Sequence, residues 1–206
     1  MKSALYVFEG PDGVGKSTLA SHLNTHLNEY DFPSDLFSFP GRDTGTLGEH
    51  VYRLYHDRRH FGISNISVAA EQLLFAAAHT DVIENQILPT LAKGLNVVLD
   101  RYWWSTWVYA TICDLDSRVR DLIIELELEI WRDVKPICIF LVRRNRPENS
   151  EHTSEKWDSL LSLYDDIRLQ QREKVTTVDV DNNGAIENTI QSVCQTALAL
   201  DAGGRT

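Results

Sequence analysis

The chain has 206 residues, of which 43% are hydrophobic and 24% charged, and its net charge is −10. This length and composition suit one α/β domain with a substantial core. The negative charge argues against DNA or RNA as a general partner, because a phosphate backbone requires a basic footprint. Three cysteines without C-x-x-C spacing predict neither a disulfide framework nor a zinc site. The sequence shows no signal peptide and no membrane-spanning run, so we expect a cytoplasmic protein without a membrane partner.

Short apolar runs alternate with helical patterns along the chain. The apolar runs predict buried strands at Leu5–Phe8, Asp35–Phe39, Asn96–Leu99, Ile137–Val142 and Val175–Val180. The segments between them predict helices at Ser17–Glu29, Leu47–Asp57, Ile66–Lys93, Ser117–Trp131, Ser154–Lys174 and Ala185–Leu200. This alternation indicates an α/β fold, a five-stranded parallel sheet flanked by helices on both faces. We expect one domain over residues 1–200, with a mobile loop at 143–153 and a disordered tail at 201–206.

A glycine-rich loop follows the first predicted strand. Gly10 to Ser17 match the full G-x-x-x-x-G-K-S pattern between a strand and a helix. Such a loop directs its backbone N–H groups at the phosphates of a nucleotide. Lys16 would reach the β- and γ-phosphates, and Ser17 would offer its hydroxyl to Mg²⁺. A glycine-rich turn without a ligand is the alternative, and the correct offset of all four motif residues argues against it.

Charged residues follow the predicted strands at the edge where ligands of open α/β sheets bind. They are Arg42, Asp100, Arg101, Arg143, Arg144 and Arg146. Each arginine alone could be a solvated surface charge, but their joint position beside the glycine-rich loop predicts a cationic pocket for a substrate phosphate. Asp100 closes an apolar strand, as does the acidic residue that holds Mg²⁺ opposite such a loop. A turn-stabilising aspartate is the alternative.

The long helix predicted at Ile66–Lys93 carries an aromatic residue off its expected core face. At 100° per residue, the core stripe consists of Ala70, Leu73, Ala77, Leu88 and Leu91. Phe75 lies on the other side with Gln72 and His79 nearby, and its ring could stack on a flat base. Packing on another helix or on a second copy of the chain explains Phe75 equally well.

In this order the motifs resemble those of thymidylate kinases, a family of P-loop nucleoside-monophosphate kinases, from Ala4 to Leu200. The matching segments are Phe8–Thr18, Phe39–Arg42, Leu73–Ala77 and Asp100–Tyr109. The resemblance implies a P-loop NTPase fold and transfer of a phosphoryl group from ATP, with Mg²⁺, to a deoxynucleoside monophosphate, foremost dTMP. The nucleotide-binding residues it implies are Gly10, Gly13, Gly15, Lys16, Ser17 and Thr18.

The resemblance also implies roles at the acceptor. Arg42 and Arg101 would bind its 5′-phosphate, and Phe75 would stack on thymine. Asp12 would lie near the 3′-hydroxyl of the sugar and Tyr109 near its 2′ position. The metal would be held through Ser17 and Asp100. Further members of the implied substrate and catalytic sets are Lys16, His79, Ser105, Thr106, Arg143, Arg144 and Arg146.

The sequence departs from the family pattern at several positions. His79 stands where the family has an arginine at the base edge, so we expect a different or weaker base preference. Ala110 replaces a glutamine, and the loop at 143–153 is short. Gly13 replaces the catalytic arginine of one branch, which leaves the lid arginines to supply that cation. A kinase for another pyrimidine nucleotide or nucleoside, or a nucleotide-binding protein without turnover, stays an alternative, and a homodimer stays open.

Overall fold

Five short apolar strands form one parallel sheet in this computed structural model, which describes residues 3–41, 43–146 and 152–203. The strands are β1 (Leu5–Glu9), β2 (Ser34–Ser38), β3 (Asn96–Asp100), β4 (Cys138–Arg143) and β5 (Thr177–Asp181). Their order is β2-β3-β1-β4-β5, and all neighbouring pairs are parallel. The predicted five-stranded parallel sheet is confirmed, with strand ends shifted by a residue or two.

Helices connect the strands. They are α1 (Lys16–Glu29), α2 (Leu47–His56), α3 (Val68–Val82), α4 (Leu88–Ala92), α5 (Trp103–Ile112), α6 (Ser117–Trp131), α7 (Ser154–Gln171) and α8 (Ile186–Gly203). A 3₁₀ turn at Arg58–Phe61 follows α2. Helix α8 continues into the segment at 201–206 that we expected to be disordered, and residues 204–206 lie outside the described part. None of the described helices is long and apolar enough to cross a membrane.

Both faces of the sheet are covered. Alternate residues of β1 belong to two separate core clusters, with Leu5 and Val7 in one and Tyr6 and Phe8 in the other. Period-two alternation sends neighbouring side chains of a strand to opposite faces. Residues of α5 and α6 complete the first cluster, and residues of α1 and α8 complete the second. The loops after the strands are therefore framed by helices on both sides.

Helix α5 was not predicted from the sequence, whereas every other described helix of more than five residues was. Its sequence, WWSTWVYATI, consists mainly of aromatic and β-branched residues, which are weak helix formers. Trp103, Trp104 and Val108 are buried in the core cluster of α5 and α6. Tertiary packing, which propensity cannot report, therefore stabilises this helix.

The helix predicted at Ile66–Lys93 contains a π-helical turn at Ile83–Ile87. A π turn accommodates one extra residue, so the helix face before it is rotated by about 100° relative to the face after it. The predicted core stripe is wrong before this turn: Leu73 is 50% exposed and Ala70 and Ala77 are exposed. After the turn the prediction holds, since Leu88 and Leu91 pack against the core. The buried residues of α3 are Gln72, Ala76, Ala78, His79 and Val82.

The first turn of α2 lies against the segment that follows β2. A Cβ placed on Gly48 would lie 1.9 Å from the carbonyl oxygen of Pro40 and 2.9 Å from the Cα of Gly41. The contact is between backbones, so neither partner can rotate away. Only glycine at position 48 allows α2 to approach this closely, and the approach fixes the chain just before Arg42.

We predict that Gly48→Ala lowers the free energy of unfolding by about 1–3 kcal/mol, as overpacking a well-filled site does. The measurement is chemical denaturation of both proteins. Gly184→Ala is the matched control, because a Cβ at Gly184 meets nothing within 4 Å. Equal stabilities of the two variants would contradict the close approach of α2 to Pro40.

Candidate active site

The register of the sheet places the ends of β1 and β3 side by side. Phe8 pairs with Asp100, and the N–H of Arg101 donates to the carbonyl of Phe8 at 2.9 Å. The glycine-rich loop follows β1 directly, while Asp100 and Arg101 follow β3. Two segments that lie far apart in sequence therefore meet at one edge of the sheet, as strand ends in open α/β folds do.

The glycine-rich loop adopts a conformation that its glycines make possible. Gly10 has a φ of 138°, and a Cβ there would lie 2.3 Å from the carbonyl oxygen of Val142. Gly15 has a φ of 99° immediately before α1. Behind the loop, the buried amide of Asn182 donates to the carbonyl of Val14 at 2.7 Å. The loop is thus supported by β4 and by the end of β5, and α1 begins directly after it.

Lys16 begins α1, with its ammonium group held close to the loop. Its Nζ donates to the carbonyl of Pro11 at 2.7 Å, and the residue is 5% exposed. Burial and the positive charge of Arg101 together lower the pKa of Lys16 to about 8, against the opposing effect of Asp100. A bound anion beside Lys16 would oppose this lowering of the pKa, because it stabilises the charged ammonium.

Ser17 and Asp100 meet in the arrangement expected for a magnesium site. The Ser17 hydroxyl donates to Oδ2 of Asp100 at 2.5 Å. The other carboxylate oxygen, Oδ1, is buried without a hydrogen-bond partner among the described residues. A buried carboxylate oxygen of this kind fits a hard cation, for which oxygen ligands are preferred. The described residues contain no group of three His, Cys, Asp or Glu that could hold a metal.

Arg101 projects from a strained backbone position towards the glycine-rich loop. Its φ is 77°, in a region of backbone conformation that residues other than glycine rarely adopt. The guanidinium donates to Ser105 at 2.9 Å, forms an ion pair with Asp12 and lies 5.6 Å from the centre of the Tyr109 ring. Tyr109 donates its hydroxyl to Asp12 at 2.7 Å. The structure therefore brings together four of the predicted site residues.

The carboxyl group of Asp12 is strongly acidic in this setting. Burial raises its pKa, but the charges of Arg101 and Lys16 and the hydrogen bond from Tyr109 outweigh that effect and lower the pKa to about 2. Asp12 therefore stays ionised at neutral pH and cannot act as a proton donor there. Its place in the cluster is that of an acceptor that orients Arg101 and Tyr109.

Glu9 is a residue of this site that the sequence analysis missed. It is fully buried and accepts hydrogen bonds from the N–H groups of Tyr102 and Ser105, at 2.8 and 3.0 Å, and from the Ser105 hydroxyl at 2.7 Å. Burial raises its pKa, while the Ser105 hydrogen bonds and nearby cations oppose the rise. Tyr164 of α7 also donates to it at 3.3 Å. The sequence signal that could have identified Glu9 is a charged residue at the end of an apolar strand.

Three further residues predicted at the acceptor are Arg42, Thr106 and Phe75, and they differ in their surroundings. Arg42 lies outside the described residues, although the segment leading to it, Phe39–Gly41, is described. Thr106 is buried in α5, and its hydroxyl oxygen has no partner among the described residues. Phe75 is half-buried, and its ring centre lies 5.4 Å from that of Tyr55 in α2.

His79 is buried between α3, α6 and the segment after β2. It is 5% exposed, its Nδ1 lies 3.1 Å from a carboxylate oxygen of Glu127, and its ring stacks on Phe39 at 4.1 Å. Phe75, one turn earlier, packs on Tyr55 of a different helix. His79 is thus engaged within the core while Phe75 packs on α2, and a joint role of the two side chains at a base stays a prediction.

The three lid arginines also differ in their surroundings. Arg143 is the last residue of β4 and pairs with Asp165 of α7 at 2.5 Å and with Asp179 of β5 at 3.3 Å. Arg144 and Arg146 are exposed, and Arg146 donates to the carbonyl of His152 at 3.4 Å. Residues 147–151 of the expected lid lie outside the described part. Arg143 is therefore committed to an ion-pair network, unlike the two arginines after it.

Comparison with known proteins assigns the family. The profile of the family described as Thymidylate kinase matches residues 8–189. A thymidylate kinase of Chlorobium phaeobacteroides is 37% identical over 179 residues, which cover 80% of this chain and 78% of that protein. A thymidylate kinase of Caldanaerobacter subterraneus is 36% identical over 110 residues, 53% of this chain and 50% of the relative.

A solved structure supports the same fold. The crystal structure of thymidylate kinase from Ehrlichia chaffeensis superposes with a TM-score of 0.75 at 22% identity, covering 97% of this chain and 99% of that chain. At this identity the likeness concerns the fold, which is that of a P-loop kinase. Together with the profile match and the site geometry, it leads to one assignment: the chain belongs to the thymidylate kinase family.

Proposed function

We propose that this protein transfers the γ-phosphoryl group of ATP, bound with Mg²⁺, to the 5′-phosphate of dTMP. The observation that carries the proposal is the convergence of a phosphate-binding loop with Arg101, placed by the pairing of β1 with β3. A donor phosphate on the loop and an acceptor phosphate on Arg101 would then lie at the same sheet edge. Family membership supports this choice of reaction.

The chemistry requires alignment of two anions and neutralisation of charge, and it needs no strong base. The loop N–H groups from Gly10 to Thr18 and Lys16 would hold the donor phosphates, and Ser17 and Asp100 would hold Mg²⁺. The metal would supply charge neutralisation at the phosphates. Arg101 and Arg42 would hold the acceptor phosphate, whose oxygen is already ionised near neutral pH.

Other residues would select the acceptor and close the site. Asp12 and Tyr109 form a hydrogen-bonded pair beside Arg101, which suits contacts to the sugar hydroxyl and its 2′ position. Phe75 would offer its ring to the base. Arg144 and Arg146, rather than the ion-paired Arg143, would supply the lid cation. We further propose that the partners are small nucleotides rather than nucleic acids and that the protein is cytoplasmic.

The first test measures ADP release with dTMP, dUMP, dCMP and thymidine as acceptors. We expect turnover with dTMP, and a kcat for Lys16→Ala that is about 100- to 1,000-fold lower, because removal of one oriented donor costs about 2.7–4 kcal/mol in other enzymes. Lys93→Ala, at an exposed lysine, is the control and should keep the wild-type kcat. Tight ATP binding without turnover, or turnover of thymidine alone, would refute the proposed reaction.

A second prediction concerns the acceptor. Arg101→Lys should raise the KM for dTMP by about 10- to 100-fold, since loss of a charged hydrogen bond costs about 1.5–3 kcal/mol, and should leave the KM for ATP almost unchanged. Arg120→Lys is the matched control, because its guanidinium is similarly buried and lies 4.9 Å from the centre of the Trp107 ring. An effect mainly on the KM for ATP would place Arg101 at the donor instead.

We also propose that the chain forms a homodimer through α3 and α6. The two helices pack on each other, and large apolar side chains of both are exposed. Leu73 of α3 is 50% exposed, and Leu122 and Leu126 of α6 are 57% and 51% exposed. Exposed apolar side chains on two adjacent helices favour a protein interface, since water contact with them is unfavourable.

The dimer is tested by light scattering after gel filtration. We expect wild type at twice the 23.5 kDa of the chain, and Leu122→Glu/Leu126→Glu at the monomer mass. The control is Leu169→Glu, because Leu169 of α7 is equally exposed at 54% and lies outside the two helices. A monomeric wild type, or a dimer that survives the double substitution, would contradict this interface.

A further inference from the structure

His79 and Glu127 form a buried polar pair between α3 and α6. The imidazole Nδ1 lies 3.1 Å from Oε2 of Glu127, and the residues are 5% and 1% exposed. The other carboxylate oxygen of Glu127 has no hydrogen-bond partner among the described residues. A buried carboxylate needs a donor, and the described part of the chain offers it His79. The two side chains are therefore each other's polar partners within the core.

The imidazole ring holds the beginning of the segment that leads to Arg42. His79 stacks on Phe39 with 4.1 Å between the ring centres and 11° between their planes. Phe39 also donates its N–H to the carbonyl of Asp100 at 2.9 Å. A Cβ on Gly41 would lie 3.6 Å from Val82, one turn after His79 in α3. The same face of α3 therefore supports Phe39–Gly41 at two points.

The helix that carries Glu127 also packs against Tyr102. The contact is made by Trp131, the last residue of α6, four residues after Glu127. Tyr102 directly follows Arg101. Its ring lies edge-on to Trp131 at 5.2 Å, and Phe39 lies 6.2 Å from the same indole. Phe39 and Tyr102 thus converge on one buried cluster around Trp131.

We propose that the His79–Glu127 pair positions both arms of the acceptor-phosphate site and takes no part in reading the base. This inference depends on the proposed function, because it concerns the acceptor phosphate of that reaction. The pair acts through Phe39 and Tyr102 and touches no substrate. Its contribution is the relative placement of two arginine-bearing segments, and loss of such placement weakens binding of the group that both segments share.

Three variants separate the ring contact from the buried charge. His79→Leu/Glu127→Leu removes the ring and the polar pair together, so that no carboxylate is left buried and unpaired. His79→Phe/Glu127→Leu restores an aromatic ring against Phe39 without the polar pair. Phe39→Leu breaks the same stacking contact from the other side. Val193→Ala, a buried substitution in α8 on the opposite face of the sheet, controls for general destabilisation.

The readouts are KM and kcat for dTMP, dUMP and ATP, with Kd for dTMP by calorimetry. Because small misplacements cost up to about 100-fold, we expect His79→Leu/Glu127→Leu and Phe39→Leu to raise KM and Kd for dTMP by about tenfold. The KM for ATP should stay within about twofold of wild type. The ratio of kcat/KM for dTMP to kcat/KM for dUMP should also stay within about twofold of wild type. His79→Phe/Glu127→Leu should recover most of the dTMP affinity, and Val193→Ala should lower Tm alone.

Other outcomes overturn the inference. If the His79→Leu/Glu127→Leu and Phe39→Leu variants fold and bind dTMP as wild type does, the pair has no positioning role. If the ratio of kcat/KM for dTMP to kcat/KM for dUMP changes, residue 79 contributes to recognition of the base. If KM rises equally for ATP and dTMP, the effect is general destabilisation. A wild type that binds dTMP without turnover would refute the proposed function alone, since the calorimetric comparison still tests the pair.

Discussion

The buried carboxylate of Glu9 is the constraint on which the site depends. Removing a carboxylate from water is costly unless hydrogen-bond donors replace the water. Here the donors come from the first turn of α5, through Tyr102 and Ser105, and from Tyr164 of α7. The end of β1, the start of α5 and the middle of α7 must therefore meet at one point. That point lies directly behind the phosphate-binding loop.

The charges of the site are arranged around the same point. Ser105 donates to Glu9 and accepts from Arg101, so the buried carboxylate fixes the guanidinium that pairs with Asp12. Lys16 lies close enough for Arg101 to lower its pKa. An overall net charge of −10 is compatible with phosphate binding because the cations are concentrated locally. Attraction over short distances inside a low-dielectric pocket outweighs screened repulsion from distant surface carboxylates.

The sheet and the position of the glycine-rich loop between β1 and α1 could be predicted because their signals are local. An apolar run such as Val97–Leu99 indicates a buried strand by itself, and the spacing from Gly10 to Ser17 is fixed within one loop. Helix α5 could not be predicted, since Trp103 and its neighbours favour a helix only when packed on the sheet. The prediction of the core face of α3 was wrong because the π turn at Ile83–Ile87 rotates the buried face of the helix, and no residue type in this segment indicates a π turn.

The side chains whose surroundings differed from expectation have partners from distant segments. Arg143 was grouped with Arg144 and Arg146 by sequence position. The register of β4 on β5 pairs it with Asp181, and its side chain forms an ion pair with Asp179, two residues earlier in β5. The turn spacing of His79 relative to Phe75 was correct, yet the direction of its side chain leads to Glu127, 48 residues further along the chain. Helical periodicity specifies a direction only. Whether a ligand or another side chain lies in that direction is determined by tertiary packing, which a motif match at residue 79 does not contain.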